Sequence, residues 1–186
     1  MKDKSKIYQM AIIVVMTAVI CILGPLSIPI GLIPISLTNF AILLVLYVLG
    51  MKKGTLSCIL YLLIGLIGLP VFSGFSSGPG KLLGPTGGFL IGYIFMTLIS
   101  GFFIDRFMDK WYLCFIGMIL GTSVLYAFGT TWLAYQANMT AKAALVEAVL
   151  PFIAWDVTKI AIVSVFGPQL RKRLINSSST RVNKKR

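Results

Sequence analysis

The sequence contains no histidine and only five acidic residues, and charged residues make up 12% of its 186 positions. A soluble domain carries about twice that fraction of charge. Without histidine, the chain cannot build a His-ligated metal site or use an imidazole as a general base. The P-loop pattern G-x-x-x-x-G-K-[ST] is also missing from the sequence, which excludes ATP hydrolysis by a site of that class.

Cysteine is scarce as well. The three cysteines, Cys21, Cys58 and Cys114, lie in separate hydrophobic segments. An odd number without paired spacing argues against a disulfide framework. We therefore expect these side chains to act as small apolar packing residues.

Hydrophobic residues, by contrast, make up 58% of the chain and form long runs. A run of about 20 apolar residues is enough to cross a bilayer as a helix. The sequence therefore predicts an all-α integral membrane protein with six transmembrane helices, at about 7–24, 35–50, 54–70, 88–105, 112–135 and 148–168.

The 17 Lys and Arg residues fix the expected orientation. With the N-terminus inside the cell, all of them fall on the cytoplasmic side except Lys81 and Lys142 outside and Lys159 within a span. This asymmetry predicts that both termini are cytoplasmic, and it accounts for the net charge of +12 without a nucleic-acid partner. We divide the chain into a transmembrane domain, 1–170, and a basic cytoplasmic tail, 171–186, expected to be disordered beside anionic lipid.

Two outer connections are rich in proline and glycine. The segment "GPLSIPIGLIPIS" (24–36) is too apolar for a free loop and too rich in proline for a helix. "PVFSGFSSGPGKLLGPTGG" (70–88) is similar. We expect both to fold over the outer mouth of the bundle. The spacing of Gly88 with Gly92, and of Gly117 with Gly121, favours close helix packing.

The stretch "PFIAWDVTKI" (151–160) places an acid and a base inside the last span. Asp156 and Lys159 share one helical face, and either charge would be costly in lipid. Both must therefore face the bundle interior. The pair could neutralise itself and join helices, or it could bind a ligand that presents an N–H beside a C=O, as amides, ureas and lactams do.

Other candidate residues lie near the predicted outer side, and each has a structural alternative. "GPTGG" (84–88) could bind an anion through backbone N–H groups or form an ordinary turn. Lys81 could meet a carboxylate or be solvated. Thr38 and Asn39 could cap a helix or contact a ligand. The candidates Trp132 and Tyr135, together with Thr131, Gln136 and Trp155, could line a site or form an interfacial aromatic belt.

Together these motifs resemble one family. "GPTGG" opening the fourth helix, "WLAYQ" ending the fifth and "DVTK" in the sixth are similar to the biotin-specific S components of energy-coupling factor (ECF) transporters, the BioY family. The similarity in order and topology covers roughly residues 5–170. The D-x-x-K pair and the GP[ST]GG loop are its most specific parts.

The resemblance implies a six-helix S component that captures biotin outside a bacterial or archaeal cell. In that family the acid and the lysine of the last helix bind the ureido group, which here are Asp156 and Lys159. Biotin's valerate carboxylate would lie toward the loop carrying Thr86, Gly87 and Gly88. The implied partners are a transmembrane coupling subunit and two ABC-type ATPase subunits, with biotin as transported ligand and no cofactor.

The sequence departs from the family pattern at two places. Some relatives carry a basic residue just after the aromatic residue that follows the GP[ST]GG loop, and here that position is Leu90. Lys81 or backbone N–H groups would then have to bind the carboxylate. The Ala-xxx-Ala pattern that S components often show in helix one for docking corresponds here to Val14 and Ala18.

Two other functions remain open at this point. The chain could be an S component for another vitamin, which the ureido-matching pair disfavours. It could also be a proton-coupled carrier in which Asp156 and Lys159 relay protons. An intramembrane enzyme has little support, because no Ser/Lys or Cys/His constellation can be placed.

Overall fold

The computed structural model describes residues 2–29 and 33–183, with side chains described for 6–29 and 33–171. Helices α1, α2, α4, α5 and α7 are long and apolar enough to cross a membrane. The elements in chain order are α1 (Lys2–Leu23), β1 (Ser27–Ile28), β2 (Ile35–Ser36), α2 (Thr38–Ile67), α3 (Pro79–Leu83), α4 (Gly87–Arg106), α5 (Trp111–Gln136), α6 (Ala141–Ala148) and α7 (Leu150–Asn183).

Helix α2 is a hairpin of two helical arms that meet at Gly50. The backbone of Gly50 has φ 77° and ψ 176°, which is not helical. In a straight helix Thr38 and Tyr61 would lie about 35 Å apart, but both line one cavity. A Cβ atom added to Gly54 would lie only 3.2 Å from the Cα of Leu46. The chain therefore reverses at Gly50, and the predicted spans 35–50 and 54–70 are two passes, so the described residues make six helical passes.

The turn at Gly50 is held by the end of α4. The Met51 N–H donates to Asp105 Oδ2 at 2.8 Å, so the carboxylate caps the second arm of the hairpin. Arg171 Nη1 in α7 lies 3.0 Å from Asp105 Oδ1. One side chain thus connects three of the passes at this end of the bundle.

Helices α4 and α5 pack against each other through glycines. A Cβ atom on Gly117 would lie 2.2 Å from Phe103, and one on Gly121 would lie 2.2 Å from Ser100 Oγ. One on Gly88 would lie 2.3 Å from Trp132 Cβ. The close packing predicted from the glycine spacing is confirmed at this interface.

The first outer segment folds over the bundle, as the sequence predicts. Strands β1 and β2 pair antiparallel, with Ser27 opposite Ser36. Ile33 and Ile35 are buried in a cluster with Leu133 and Phe152. Apolar burial therefore holds this segment against α5 and α7. Residues 30–32 of the predicted segment lie outside the described residues.

The end of the chain differs from the prediction. A short helix, α6, precedes the last span, and the Thr140 side chain caps it by accepting from the Ala143 N–H. Helix α7 then continues to Asn183, whereas the sequence was expected to become disordered from 171. The residues "RKRL" (171–174) favour helix, and α7 continues through Pro168 into this stretch. Residues 184–186 of the predicted tail lie outside the described part of the chain.

Candidate ligand-binding site

A cavity lies between α2, α4, α5 and α7, beneath the β1–β2 segment. About 60 Å³ of it is open to the centre of a water-sized sphere, which makes it a small cavity for a ligand-binding site. Its lining residues are Ile33, Pro34, Ser36, Thr38, Asn39, Tyr61, Ser73, Thr86, Phe89, Leu90, Tyr93, Leu125, Tyr126, Ala148, Phe152, Asp156 and Lys159.

Asp156 and Lys159 lie on the wall of this cavity, one helical turn apart on α7. Lys159 Nζ is 3.0 Å from Asp156 Oδ1 and donates to the Ser36 carbonyl at 2.8 Å. The two residues are only 6% and 8% exposed. The inward-facing position predicted from the cost of charge in lipid is confirmed.

Tyr126 on α5 completes the arrangement, and sequence reasoning missed it. Its hydroxyl donates to Asp156 Oδ2 at 2.6 Å. A tyrosine hydroxyl in mid-span needs a partner, which is the signal that could have identified this residue. The carboxylate is thus held at both oxygens, by Tyr126 and by Lys159.

The pair keeps hydrogen-bonding capacity for a ligand. An ammonium group has three N–H donors, and two of those of Lys159 are used by Asp156 and Ser36. Each carboxylate oxygen of Asp156 has a second lone-pair direction. An acceptor and a donor side by side on a ligand would match this surface.

The apolar walls of the cavity are Phe and Tyr rings rather than tryptophans. Tyr61, Tyr93, Phe89 and Phe152 join Tyr126 in the lining. These rings provide flat surfaces for a compact apolar ring system. Trp155, for which the sequence left a wall as one alternative, is 55% exposed and does not line the cavity.

Asn39 and Thr86 line the cavity with unused polar atoms. Within the described residues, neither amide atom of Asn39 and not the Thr86 Oγ1 has a hydrogen-bond partner. Both side chains are buried, at 4% and 8% exposure. Thr86 is the N-cap residue of α4, but its side chain makes no capping hydrogen bond. Asn39, in the first turn of α2, makes none either. Helix capping therefore does not explain these two side chains.

The GPTGG loop is fixed to α5. Trp132 Nε1 donates to the Gly84 carbonyl at 2.9 Å, and Gln136 Nε2 donates to the Leu83 carbonyl. A Cβ atom on Gly87 would lie 1.6 Å from the Leu82 carbonyl oxygen, and one on Gly88 would meet Trp132. The glycines permit this close backbone approach.

Five of the predicted site residues lie outside the lining of the cavity: Lys81, Gly87, Gly88, Trp132 and Tyr135. Tyr135 of α5 is 81% exposed, so its side chain is on the surface of the protein. Lys81 lies on the short helix α3, where partial burial lowers the pKa of its ammonium group. Their roles as ligand contacts stay predictions, and the geometry favours Asp156, Lys159, Asn39 and Thr86.

Across the residues that the structure describes, no group of three or more His, Cys, Asp or Glu side chains could hold an ion. The chemistry of the cavity is that of hydrogen bonding and apolar contact.

Comparisons with known proteins agree on one family. The model of the BioY family matches residues 1–176. The biotin transporter BioY2 of Lactococcus lactis subsp. cremoris is 34% identical over 95% of this chain and 97% of its own length. The biotin transporter BioY of Thermotoga maritima is 36% identical over 85% of this chain and 92% of its own.

A solved structure is similar throughout. The S-component for biotin from an ECF-type ABC transporter has a TM-score of 0.85 and 35% identity, covering 92% of this chain and 95% of that one. The similarity therefore extends over most of the chain.

Proposed function

The chain belongs to the BioY family, and we propose that it is a membrane-embedded S component that binds biotin in the cavity beneath the β1–β2 segment. The observation that carries the site is the buried Asp156–Lys159 pair, joined at 3.0 Å on the cavity wall. A buried ion pair with unused hydrogen-bonding capacity is costly as a purely structural device, which favours a ligand-binding role.

The ureido group of biotin complements this pair. Its N–H can donate to Asp156, and its C=O can accept the remaining N–H of Lys159. Tyr126 keeps the carboxylate in place by its hydrogen bond to Oδ2. The fused rings would lie against the Phe and Tyr walls, where burial of apolar surface adds to affinity.

The valerate chain would run toward the start of α4. Thr86, at the start of α4, and Asn39, near the start of α2, line the cavity with polar atoms that lack hydrogen-bond partners within the described residues. Lys81, Gly87, Gly88, Trp132 and Tyr135 were also predicted as contacts. We propose that Trp132 acts by holding the loop, since its Nε1 is already bonded to the Gly84 carbonyl.

Transport would require partners that this chain does not supply. The sequence has no P-loop motif, so ATP hydrolysis would come from two ABC-type ATPases acting through a transmembrane coupling subunit. We propose a multi-pass protein of the cell membrane, with both termini in the cytoplasm as the basic residues indicate. It would carry biotin unchanged rather than act as an enzyme.

A ligand panel tests this proposal. Protein purified in detergent is titrated with biotin, riboflavin, thiamine and folate, and any molecule that co-purifies is identified by mass spectrometry. Saturable binding of biotin alone is expected. Saturable binding of another vitamin in its place would support the alternative of an S component for that vitamin.

A proton-coupled carrier is separated by transport. In vesicles that hold this chain without any ATPase, a pH gradient should not drive biotin accumulation. Accumulation that follows the pH gradient would favour the carrier, with Asp156 and Lys159 as proton-exchanging groups.

A further inference from the structure

The charges that line the cavity balance each other. Among the lining residues, which all fall in the described part of the chain, only Asp156 and Lys159 carry a formal charge. They are in direct contact at 3.0 Å. Residues 30–32, which the structure does not describe, are Ile, Gly and Leu in sequence and add no charge. The lining therefore offers no cation that is free to neutralise an anionic ligand group.

The beginning of α4 shows most clearly that the lining lacks a free cation. Phe89 and Leu90 follow Thr86 in the lining, and Leu125 of α5, which packs against Gly92 of α4, also lines the cavity. Leu90 is only 6% exposed. A carboxylate buried against these side chains would lose its hydration without gaining an ion pair, which is unfavourable.

The unused Thr86 hydroxyl can donate to a carboxylate or to an amide C=O, but the Asn39 amide has a different chemistry. The amide of Asn39 presents one donor and one acceptor group, and both lack partners within the described residues. An ionised carboxylate has only acceptors and would leave the Asn39 oxygen unpaired. A ligand amide has an acceptor C=O and a donor N–H, so it could pair with both atoms of Asn39.

We propose that the cavity accepts neutral, amide-terminated forms of biotin as readily as free biotin. The inference rests on the proposed function, because the ureido end of either ligand would be bound by Asp156 and Lys159. It extends the substrate class from the free vitamin to biotin whose carboxyl group has been converted to an amide.

The test is a comparison of dissociation constants. Biotin and biotinamide, its simple uncharged amide, are titrated into the purified wild-type protein at neutral pH. A Kd for biotinamide within about fivefold of the Kd for biotin supports the proposal, and a weaker one overturns it. If neither ligand binds, the proposed function fails and this inference fails with it. Binding of biotin without the amide overturns this inference alone.

Two variants assign the effect to the residues named. Asn39→Leu removes both polar atoms at similar size, and it should weaken biotinamide more than biotin, by about fivefold in the ratio of the two constants. Leu90→Arg adds a cation to the lining and should shift that ratio toward biotin by about tenfold. An unchanged ratio in a folded Asn39→Leu protein contradicts the role of Asn39. Should a variant not fold, the wild-type ratio still decides the proposal.

Discussion

The Tyr126 hydroxyl on α5 donates a 2.6 Å hydrogen bond to Asp156 Oδ2 on α7, and Lys159 lies 3.0 Å from the other carboxylate oxygen. The acid of the last span is thereby fixed from two sides. Its orientation toward the cavity depends on a residue of another helix, so the site is a product of helix packing as well as of local sequence.

Tyr126→Phe should weaken biotin binding by about tenfold or more, because hydrogen bonds to charged groups contribute about 1.5–3 kcal/mol. The measurement is the biotin Kd in detergent. Tyr112→Phe is the matched control, since Tyr112 is on the same helix and is 48% exposed. Equal affinities for the two variants would show that Tyr126 does not position Asp156.

Trp132→Phe should weaken biotin binding by roughly fivefold, the effect of losing one hydrogen bond of about 1 kcal/mol. The lost bond is the one from Nε1 to the Gly84 carbonyl, which holds the GPTGG loop against α5. The variant should also make this loop more sensitive to proteases. Trp155→Phe, at an exposed position of α7, should change neither. A protected loop with weakened binding would instead indicate direct contact between Trp132 and biotin.

Lys81→Met should leave biotin affinity unchanged within about twofold, because Lys81 lies outside the lining of the cavity. In the folded protein, partial burial lowers the pKa of this ammonium group below its ordinary value of 10.5. The unfolded chain then binds the proton more tightly, so this group's contribution to stability rises with pH between the lowered value and 10.5. Lys81→Met should remove that rise in the thermal unfolding midpoint. A large loss of biotin affinity would restore Lys81 as a carboxylate partner.

Gly50→Ala should lower the thermal unfolding midpoint of the protein in detergent. The φ of 77° disfavours any side chain, and a Cβ atom would lie 2.8 Å from Asp105 Oδ1. We expect a cost of about 1–3 kcal/mol. Gly80→Ala is the control, because a Cβ atom there has nothing within 4 Å. Matching midpoints for the two variants would mean that the hairpin tolerates a side chain at its turn.

The sequence was sufficient to predict the passes and the charged pair. Apolar runs of about 20 residues cross a bilayer as helices, and a charge in such a run must face inward, which identified Asp156 and Lys159. The predicted spans 35–50 and 54–70 also meet at "GMKKG" (50–54), whose two lysines separate two apolar runs, and the chain turns there at Gly50. These features depend on composition and local spacing.

The remaining features depend on contacts between distant parts of the chain. Tyr126 lies 30 residues from Asp156, and Trp132 lies 48 from Gly84. A tyrosine or tryptophan is compatible with the membrane interface and with a cavity wall, so its orientation is set by helix packing. For the same reason the sequence left Trp155 as either a wall or an interfacial residue; it is exposed, while Phe89 and Phe152 line the cavity.

The most direct test of the proposed site is the biotin Kd of Asp156→Asn and Lys159→Ala. Asp105→Asn is the matched control, since it alters an ion pair, with Arg171, that lies away from the cavity. Leaving one member of a buried pair alone costs on the order of 3–5 kcal/mol, so each of the two cavity variants should bind biotin at least about a hundredfold more weakly. The control should retain wild-type affinity. Wild-type affinity in Asp156→Asn and Lys159→Ala would contradict the assignment of this pair to the ureido group.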